Sequence, residues 1–485
     1  MNAVGIGFIV YLVGILVVGI FTARLARTLP DFLLAGRRLG PWVVALSERA
    51  SAESGWMLLG LPGLAFAYGL GDPSGTRLEP AFWTGVGGVC GVALSWFVVA
   101  RKLREESERL GALTLPRFFE LSFGRRDPLI RFVATGIIVF CFTFYIGAQF
   151  DAAGKSLEQT FGWSHTSGVL IGAAVIAFYT LMGGFFAVAW TDFVQGFIML
   201  VTLVALPLVT LSHLGGWGGL TAEISAIDPQ LLSVSGGRTG WTLLAGILGG
   251  FGVGTGYFGQ PHILARYMSI RSAEEIKISR AIAVVYSILT YGGAILMGMV
   301  ALAVFGEGYF EDPEKMMPEL ALTIFPAWFA GILISGALAA MMSTADSQLL
   351  VTTSVISEDI YHQTINRNAS QKRLVGLSRM VTLLIGGAAI LLAQNLPSSI
   401  FDKVLFAWGG LGAAFGPALV LTLWWRGTTR NGVLAGMITG FLTVMVWENF
   451  LEGTGLYSLV PGFLLAFLTA VLVSTMDSKG RRVSE

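Results

Sequence analysis

Charge is what this sequence has least of: Asp, Glu, Lys and Arg make up 13% of its 485 residues, and the formal net charge is +1. So little charge, evenly balanced, leaves no basic surface for following a phosphate backbone, which excludes a nucleic-acid partner. Cysteine is almost absent, and Cys90 and Cys141 both fall inside apolar stretches, which excludes a disulfide framework and a cysteine metal site. The four histidines have no metal spacing, and neither G-x-S-x-G nor H-E-x-x-H occurs, so hydrolytic chemistry has no constellation and an enzyme is not expected. Gly254 to Gly259 satisfies G-x-G-x-x-G but sits in an apolar helix and runs into Gln260-Pro261-His262, the wrong context for a dinucleotide. Thr255-Gly256-Tyr257 within it lacks the fourfold re-entrant setting of a potassium filter.

What the chain does have is apolar length: 54% hydrophobic residues with 63 glycines describe an all-α polytopic membrane protein. Runs of spanning length fall near 4–21, 40–66, 80–100, 129–152, 166–182, 190–212, 241–261, 279–304, 327–351, 377–394, 402–425, 432–450 and 459–475, predicting thirteen transmembrane helices. The first run has no preceding basic residue and no small-residue cleavage site, and reads as a retained helix. Of the 31 Lys and Arg, 25 lie in the connections after helices 1, 3, 7, 9 and 11 and in the C-terminal tail. The positive-inside rule then puts the N-terminus outside and the C-terminus in the cytoplasm, in the cell's inner (plasma) membrane. The longest outer connection, 213–240, is Gly-rich and is expected to carry short surface helices.

Polar residues inside these runs point to function. Helix 2 is interrupted by Ser47-Glu48-Arg49-Ala50-Ser51-Ala52-Glu53-Ser54-Gly55, and helix 7 by the glycine-rich stretch from Gly249 to Pro261. Discontinuous helices at matching places in two halves indicate inverted repeats around a midplane site, because unwound backbone frees carbonyls and half-helix dipoles. On helix 9, Ser343, Asp346 and Ser347 share one face through i, i+3 and i+4 steps, with Thr344 about 100° round, a set of oxygens suited to a small cation. Glu48, Arg49, Glu53, Asp192 and Asp346 would together cost on the order of 15 kcal/mol if left bare at helix centres, so each must pair, ligate or face water. Arg49 and Glu53 are related by i, i+4 and can pair, with Glu48 about 100° away. Asp346 has pairing with Arg49 or a hydrogen bond within its helix as alternatives to ligation, and Asp192 a first-turn role at the start of helix 6.

Leu46-Ser47, Ser54-Gly55-Trp56-Met57-Leu58-Leu59-Gly60-Leu61-Pro62-Gly63, Gly183-Gly184-Phe185, Trp190-Thr191-Asp192, Gly256-Tyr257-Phe258-Gly259-Gln260-Pro261-His262-Ile263-Leu264-Ala265-Arg266 and Ala339-Ala340-Met341-Met342-Ser343-Thr344 form one series. With Ala369-Ser370-Gln371-Lys372, Phe415-Gly416-Pro417 and Thr429-Arg430-Asn431-Gly432, they resemble the sodium/solute symporter family, and most of all its sodium/proline symporters. The resemblance implies a LeuT-type fold with two inverted five-helix repeats: residues 1–39 as a leading helix and loop, 40–215 as repeat 1, 216–431 as outer loop and repeat 2, and 432–485 as two further helices and a tail. It implies a transported, coupling Na+ bound by the carbonyls of Ala50, Glu53 and Ala340 and the hydroxyls of Ser343 and Thr344. A second sodium of some members would map to Asp192, Ser343, Asp346 and Ser347. The implied substrate contacts are Ser54, Gly55, Trp56, Tyr145, Tyr257, Phe258, Gln260 and Pro261, with Arg49 beside them.

Five positions depart from the proline-type pattern. Ala52 stands where an acid is usual, Glu48-Arg49 replace small residues, Val253 replaces an aromatic, and Asp346 replaces a small hydroxyl residue. The added Arg would favour a substrate with an extra acidic group, or balance Glu48 and Glu53. The expectation is sodium-coupled symport of a small organic solute, an amino acid such as proline, by alternating access. The partners are that solute, Na+ and the lipid bilayer, with no obligate protein partner evident. The rivals are a channel-like or sensory membrane protein of the same fold, and a carrier coupled to protons through Asp346.

Overall fold

A computed structural model describes residues 3–23, 29–124, 128–395 and 399–477. Arg24, Arg27, Arg125, Arg126, Lys479, Arg481 and Arg482, which contribute to the predicted orientation, lie outside the described residues. Among the described residues the backbone is helical, joined by turns, with one isolated bridge between Leu39 and Ile270. The principal helices are α1 (Ala3–Ala23), α2a (Pro41–Ala52), α2b (Trp56–Tyr68), α3 (Ala81–Arg109), α4 (Pro128–Phe161), α5 (His165–Phe178) and α6 (Gly184–His213). They continue with α7a (Gly240–Phe258), α7b (Pro261–Ser269), α8 (Ala273–Phe305), α9 (Ala327–Ile365), α10 (Gln371–Asn395), α11 (Ile400–Trp424), α12 (Arg430–Leu451) and α13 (Leu459–Met476).

Among the described residues nine of these are single helices long and apolar enough to cross a membrane, and α7a with α7b makes a tenth, bent by 48° at its break. The runs at α1, α2b and α5 are shorter apolar helices, so the predicted count of thirteen is not reached by this criterion. Helices 5 and 6 are joined without a connecting loop: one helical run from His165 to His213 turns at Gly184, whose φ of 59° and ψ of −173° are left to a residue without a Cβ. Two helices outrun their apolar windows. Helix α3 continues through the charged turn to Arg109, and α9 runs to Ile365 through a π-helical stretch from Val355, because a helix leaving the bilayer keeps its backbone pattern after its hydropathy falls. The 213–240 connection carries the helix Gly216–Ile227.

The interior is built on α9 and α11, whose apolar windows are 78% and 89% buried, whereas those of α10, α12 and α13 are 22–33% buried and form the outside. Helix α9 packs against α1, α4 and α6, while α2a lies against α6 and α8. Helix α7a crosses α3 where Gly87 and Gly91 meet Gly250 and Gly254. A Cβ on Gly87 would come within 2.1 Å of the Gly250 carbonyl, and one on Gly91 within 2.2 Å of that of Gly254. Small residues four apart on both helices give the close backbone approach that bundles use in place of a hydrophobic driving force. Part of the decoy G-x-G-x-x-G is thus a packing seam.

Candidate functional site

Helix α2 breaks inside the polar stretch. Helix α2a ends at Ala52, Glu53 turns out of helical geometry at φ −93° and ψ 64°, and α2b opens with a π-helical turn from Trp56 to Gly60. The last carbonyls of a helix have no partner within it, and those of α2a are met by side chains. Ser343 on α9 donates to the Ala50 carbonyl at 2.9 Å and to the Ala340 carbonyl at 3.0 Å, Thr344 donates to Ser51 O at 3.0 Å, and Trp56 Nε1 donates to Ala52 O at 3.2 Å. Ala50, Ala340, Ser343 and Thr344 are therefore brought together, fully buried, with Ser51 supplying a carbonyl not anticipated from sequence. These oxygens are neutral and hard, the ligand type that suits a weakly held alkali cation.

One helical turn along α9 the chemistry changes. Asp192 Oδ2 accepts from Ser47 at 2.7 Å, from Ser51 at 3.2 Å and from the Arg266 guanidinium at 2.8 Å. The same guanidinium donates to Ser347 Oγ at 2.5 Å, and Ser347 donates to Asp346 Oδ1 at 3.2 Å. Arg266 is fully buried in α7b, although the charge count assigns it to a cytoplasmic connection. Asp192 Oδ1 and Asp346 Oδ2 are buried and accept no hydrogen bond among the described residues. With two carboxylates against one guanidinium, the cluster has one negative charge uncompensated when both acids are ionised.

The expected Arg49–Glu53 pair is present but secondary. Arg49 Nε donates to Glu48 Oε2 at 2.6 Å and its NH2 to Glu48 Oε1, while the approach to Glu53 Oε1 is 3.6 Å. Ser287 accepts the remaining arm at 3.1 Å, and the guanidinium lies over the Tyr257 ring at 5.0 Å. Positions 100° apart on a helix wheel meet here because both side chains are long enough to bend toward each other. Arg49 bonds Glu48, and the Asp346 carboxylate takes its bond from Ser347, so the alternative of an Arg49–Asp346 pair is replaced by the Arg266 relay. Thr290 donates to Glu53 Oε1 at 2.8 Å, and Glu53 Oε2 is buried without a donor.

Beside the break, Ser54 Oγ lies 3.4 Å from the Tyr145 hydroxyl, and Gly55 N donates to Gln149 Oε1 at 2.9 Å. Trp56 meets Tyr291 and Phe401 with ring centroids at 5.9 and 6.0 Å; Tyr257 shares a 2.8 Å hydroxyl contact with Tyr291 and stands edge-on to Trp408 at 4.8 Å. Gln260, at the α7 break, donates to the carbonyls of Gly256 and Trp408 at 3.3 and 3.1 Å, leaving Oε1 without a donor. Pro261 opens α7b. Phe258 stands apart from this group, its ring against Phe463 of α13. Gly256 is where Trp408 seats, since a Cβ there would fall 1.8 Å from Trp408 Nε1. Ser47, Ser51, Tyr291, Trp408, Gln149, Ser287, Thr290 and Arg266 are the members that sequence reasoning missed as site residues. Ser47 and Ser51 carried a signal in the polar interruption of helix 2, and Arg266 as the last residue of the quoted α7 motif.

Trp56 is buried beneath the start of α11. Glu314 accepts from Lys155 at 2.5 Å and from the amides of Ile400 and Phe401 at 3.0 Å each, fixing the start of α11 so that Phe401 lies on Trp56. Burial pushes the Glu314 carboxyl above its ordinary pKa, opposed by Lys155 and the two amides. Lys403 donates to Asp151 at 2.8 Å, and His165 lies 2.7 Å from the same carboxylate.

The family model described as "Sodium:solute symporter family" matches residues 32–440. The high-affinity proline transporter of Bacillus subtilis (strain 168) is 40% identical over 464 residues, 95% of this chain and 95% of its own length. The sodium/proline symporter of Escherichia coli (strain K12) is 38% identical over 476 residues, 97% of this chain and 92% of its own. A Na+-coupled sialic acid symporter, solved substrate-bound and outward-open, superposes with a TM-score of 0.81 at 18% identity over the whole of both chains. At that identity the likeness shows the fold, which is the LeuT type.

Proposed function

The chain belongs to the sodium:solute symporter family, and from that premise we propose that it couples entry of sodium to uptake of an amino acid, proline first, by alternating access. It is a multi-pass membrane transporter and not an enzyme. Sodium is the coupling ion. One observation carries the reading: the Ser343 hydroxyl on unbroken α9 reaches carbonyls of Ala50 and Ala340 at 2.9 and 3.0 Å, one from each helix, beside a break in α2. An ion held by neutral oxygens from two separately moving elements fixes those elements together and leaves when they part. Inward sodium movement supplies about 2.3 kcal/mol per charge per 100 mV, enough to concentrate a solute more than tenfold.

In the same reading, the Gly55 and Trp56 segment and the helix end at Pro261 meet the substrate carboxylate. Glu53 Oε2 and Gln260 Oε1, two buried acceptors beside the helix breaks without donors among the described residues, are available to a substrate ammonium. Arg49 is occupied by Glu48, which favours its balancing role over recognition of a second substrate acid. Asp192, Asp346 and Ser347 with Arg266 form a second locus, where the uncompensated charge is met by a further cation. Repeat boundaries at 40–215 and 216–431, thirteen spans, and an outside N-terminus with a cytoplasmic C-terminus in the plasma membrane complete the proposal.

The test is uptake into proteoliposomes. Labelled proline enters saturably with sodium outside and stops entering when choline replaces it. Conductance without saturation supports a channel instead, and uptake driven by a pH gradient in the absence of sodium supports proton coupling.

A further inference from the structure

On the side of the basic connections, three arginines line a cavity of about 190 Å3 with Glu120, Pro128, Gln363 and Thr364. Arg117 comes from the short helix Leu115–Ser122, Arg131 from the first turn of α4, and Arg367 from just beyond the end of α9. Among the described residues the nearby acids are occupied. Glu120 Oε2 takes Arg117 at 2.5 Å and Arg131 at 2.9 Å, Asp359 takes the Thr114 hydroxyl at 2.8 Å, and Glu358 takes His362 and Gln363, each at 2.8 Å.

Donors are left over. Arg131, 4% exposed, gives one arm to Glu120 and the other to Thr364 at 2.7 Å, and its buried Nε has no partner among the described residues. Arg367 donates only its Nε, at 3.2 Å to the Gln363 carbonyl, so its terminal nitrogens are uncommitted among the described residues. Three guanidinium groups against one lining carboxylate give the walls a charge of +2. The amino end of the 34-residue α4 adds its dipole in the same sense.

We infer that this cavity binds a phosphate group, taken from an anionic lipid headgroup of the adjoining leaflet or from a soluble phosphate. Guanidinium forks match phosphate oxygens in pairs, and the two terminal nitrogens of Arg367 form such a fork. Because the cavity joins the end of α9 to the start of α4, a bound phosphate ties down the helix that carries Ser343 and Thr344.

The purified full-length protein, exchanged into a neutral detergent, is tested by thermal unfolding against three probes: dioctanoyl phosphatidic acid, dioctanoyl phosphatidylcholine and inorganic phosphate. Phosphatidic acid raises the unfolding temperature and phosphatidylcholine does not. A rise from phosphatidic acid alone assigns the site to a headgroup, and an equal rise from inorganic phosphate assigns it to a soluble anion. Arg131→Gln removes one of the two guanidinium partners of the buried Glu120 and risks misfolding, so the deciding variant is the exposed Arg367→Gln, in which the concentration for half-maximal shift rises about tenfold. The surface variant Arg101→Gln does not change it. No shift with either phosphate probe, or the same response in Arg367→Gln as in the unaltered protein, overturns the assignment.

Discussion

Ser343 divides two oxygen clusters of unlike character. Toward the α2 break, every oxygen is a carbonyl or hydroxyl, and the bonds from Ser343 to Ala50 O at 2.9 Å and from Thr344 to Ser51 O at 3.0 Å run between α9 and α2a. Toward α6, the cluster holds two carboxylates with a guanidinium already built in. The first group loses only exchangeable hydrogen bonds when its helices separate, so its ion can leave. The second has a tethered cation that cannot leave, and removing that cation would strand two buried acids. The difference suggests a division of labour: the neutral cluster exchanges the coupling ion, and the charged cluster fixes α7b to α6 and α9 while its one uncompensated negative charge meets a further cation.

The largest test of that contrast is Arg266→Met. Breaking a buried ion pair by removing one partner costs about 3–5 kcal/mol, and the expected result is a large fall in unfolding temperature, whereas Ser343→Ala costs about 1 kcal/mol. Equal losses would erase the distinction. Next come Ser343→Ala and Thr344→Ala, each expected to raise the sodium concentration for half-maximal uptake about tenfold, the equivalent of about 1.4 kcal/mol. Thr323→Ala, an exposed hydroxyl bonded within its own helix at 2.9 Å, serves as the unchanged reference. The smallest effect on stability belongs to Asp346→Asn, which keeps an acceptor for Ser347 and stays within about 1 kcal/mol of the parent. In that variant the charge moved per solute, read from transport currents, should fall, and an unchanged ratio would confine the charged cluster to a structural part.

The break in α2 could be read because Ser, Glu, Arg and Gly crowd an otherwise apolar run, and the α9 hydroxyls because their spacing puts them on one face. The coupled roles of Ser343 and Thr344 were less visible. Although about 100° apart on α9, they reach the successive carbonyls of Ala50 and Ser51, since α9 lies against the frayed end of α2a. Arg266 was hidden by counting basic residues along the chain: its burial comes from the 48° bend between α7a and α7b, a tertiary fact. The direct Glu48–Arg49 pair does not show on a helix wheel, which records where Cβ points and not where a guanidinium on a flexible stem ends. Trp408 and Tyr291 have no local motif and enter the site only through the packing of α11 and α8 on the α7 break.

The central claim is that sodium sits where α2a frays against α9, and it is tested most directly by sodium titration of the purified protein in the absence of substrate. The unaltered protein should gain unfolding temperature with sodium over equal choline, and the Ser343→Ala, Thr344→Ala double variant should not. Equal stabilisation of the double variant would contradict the account.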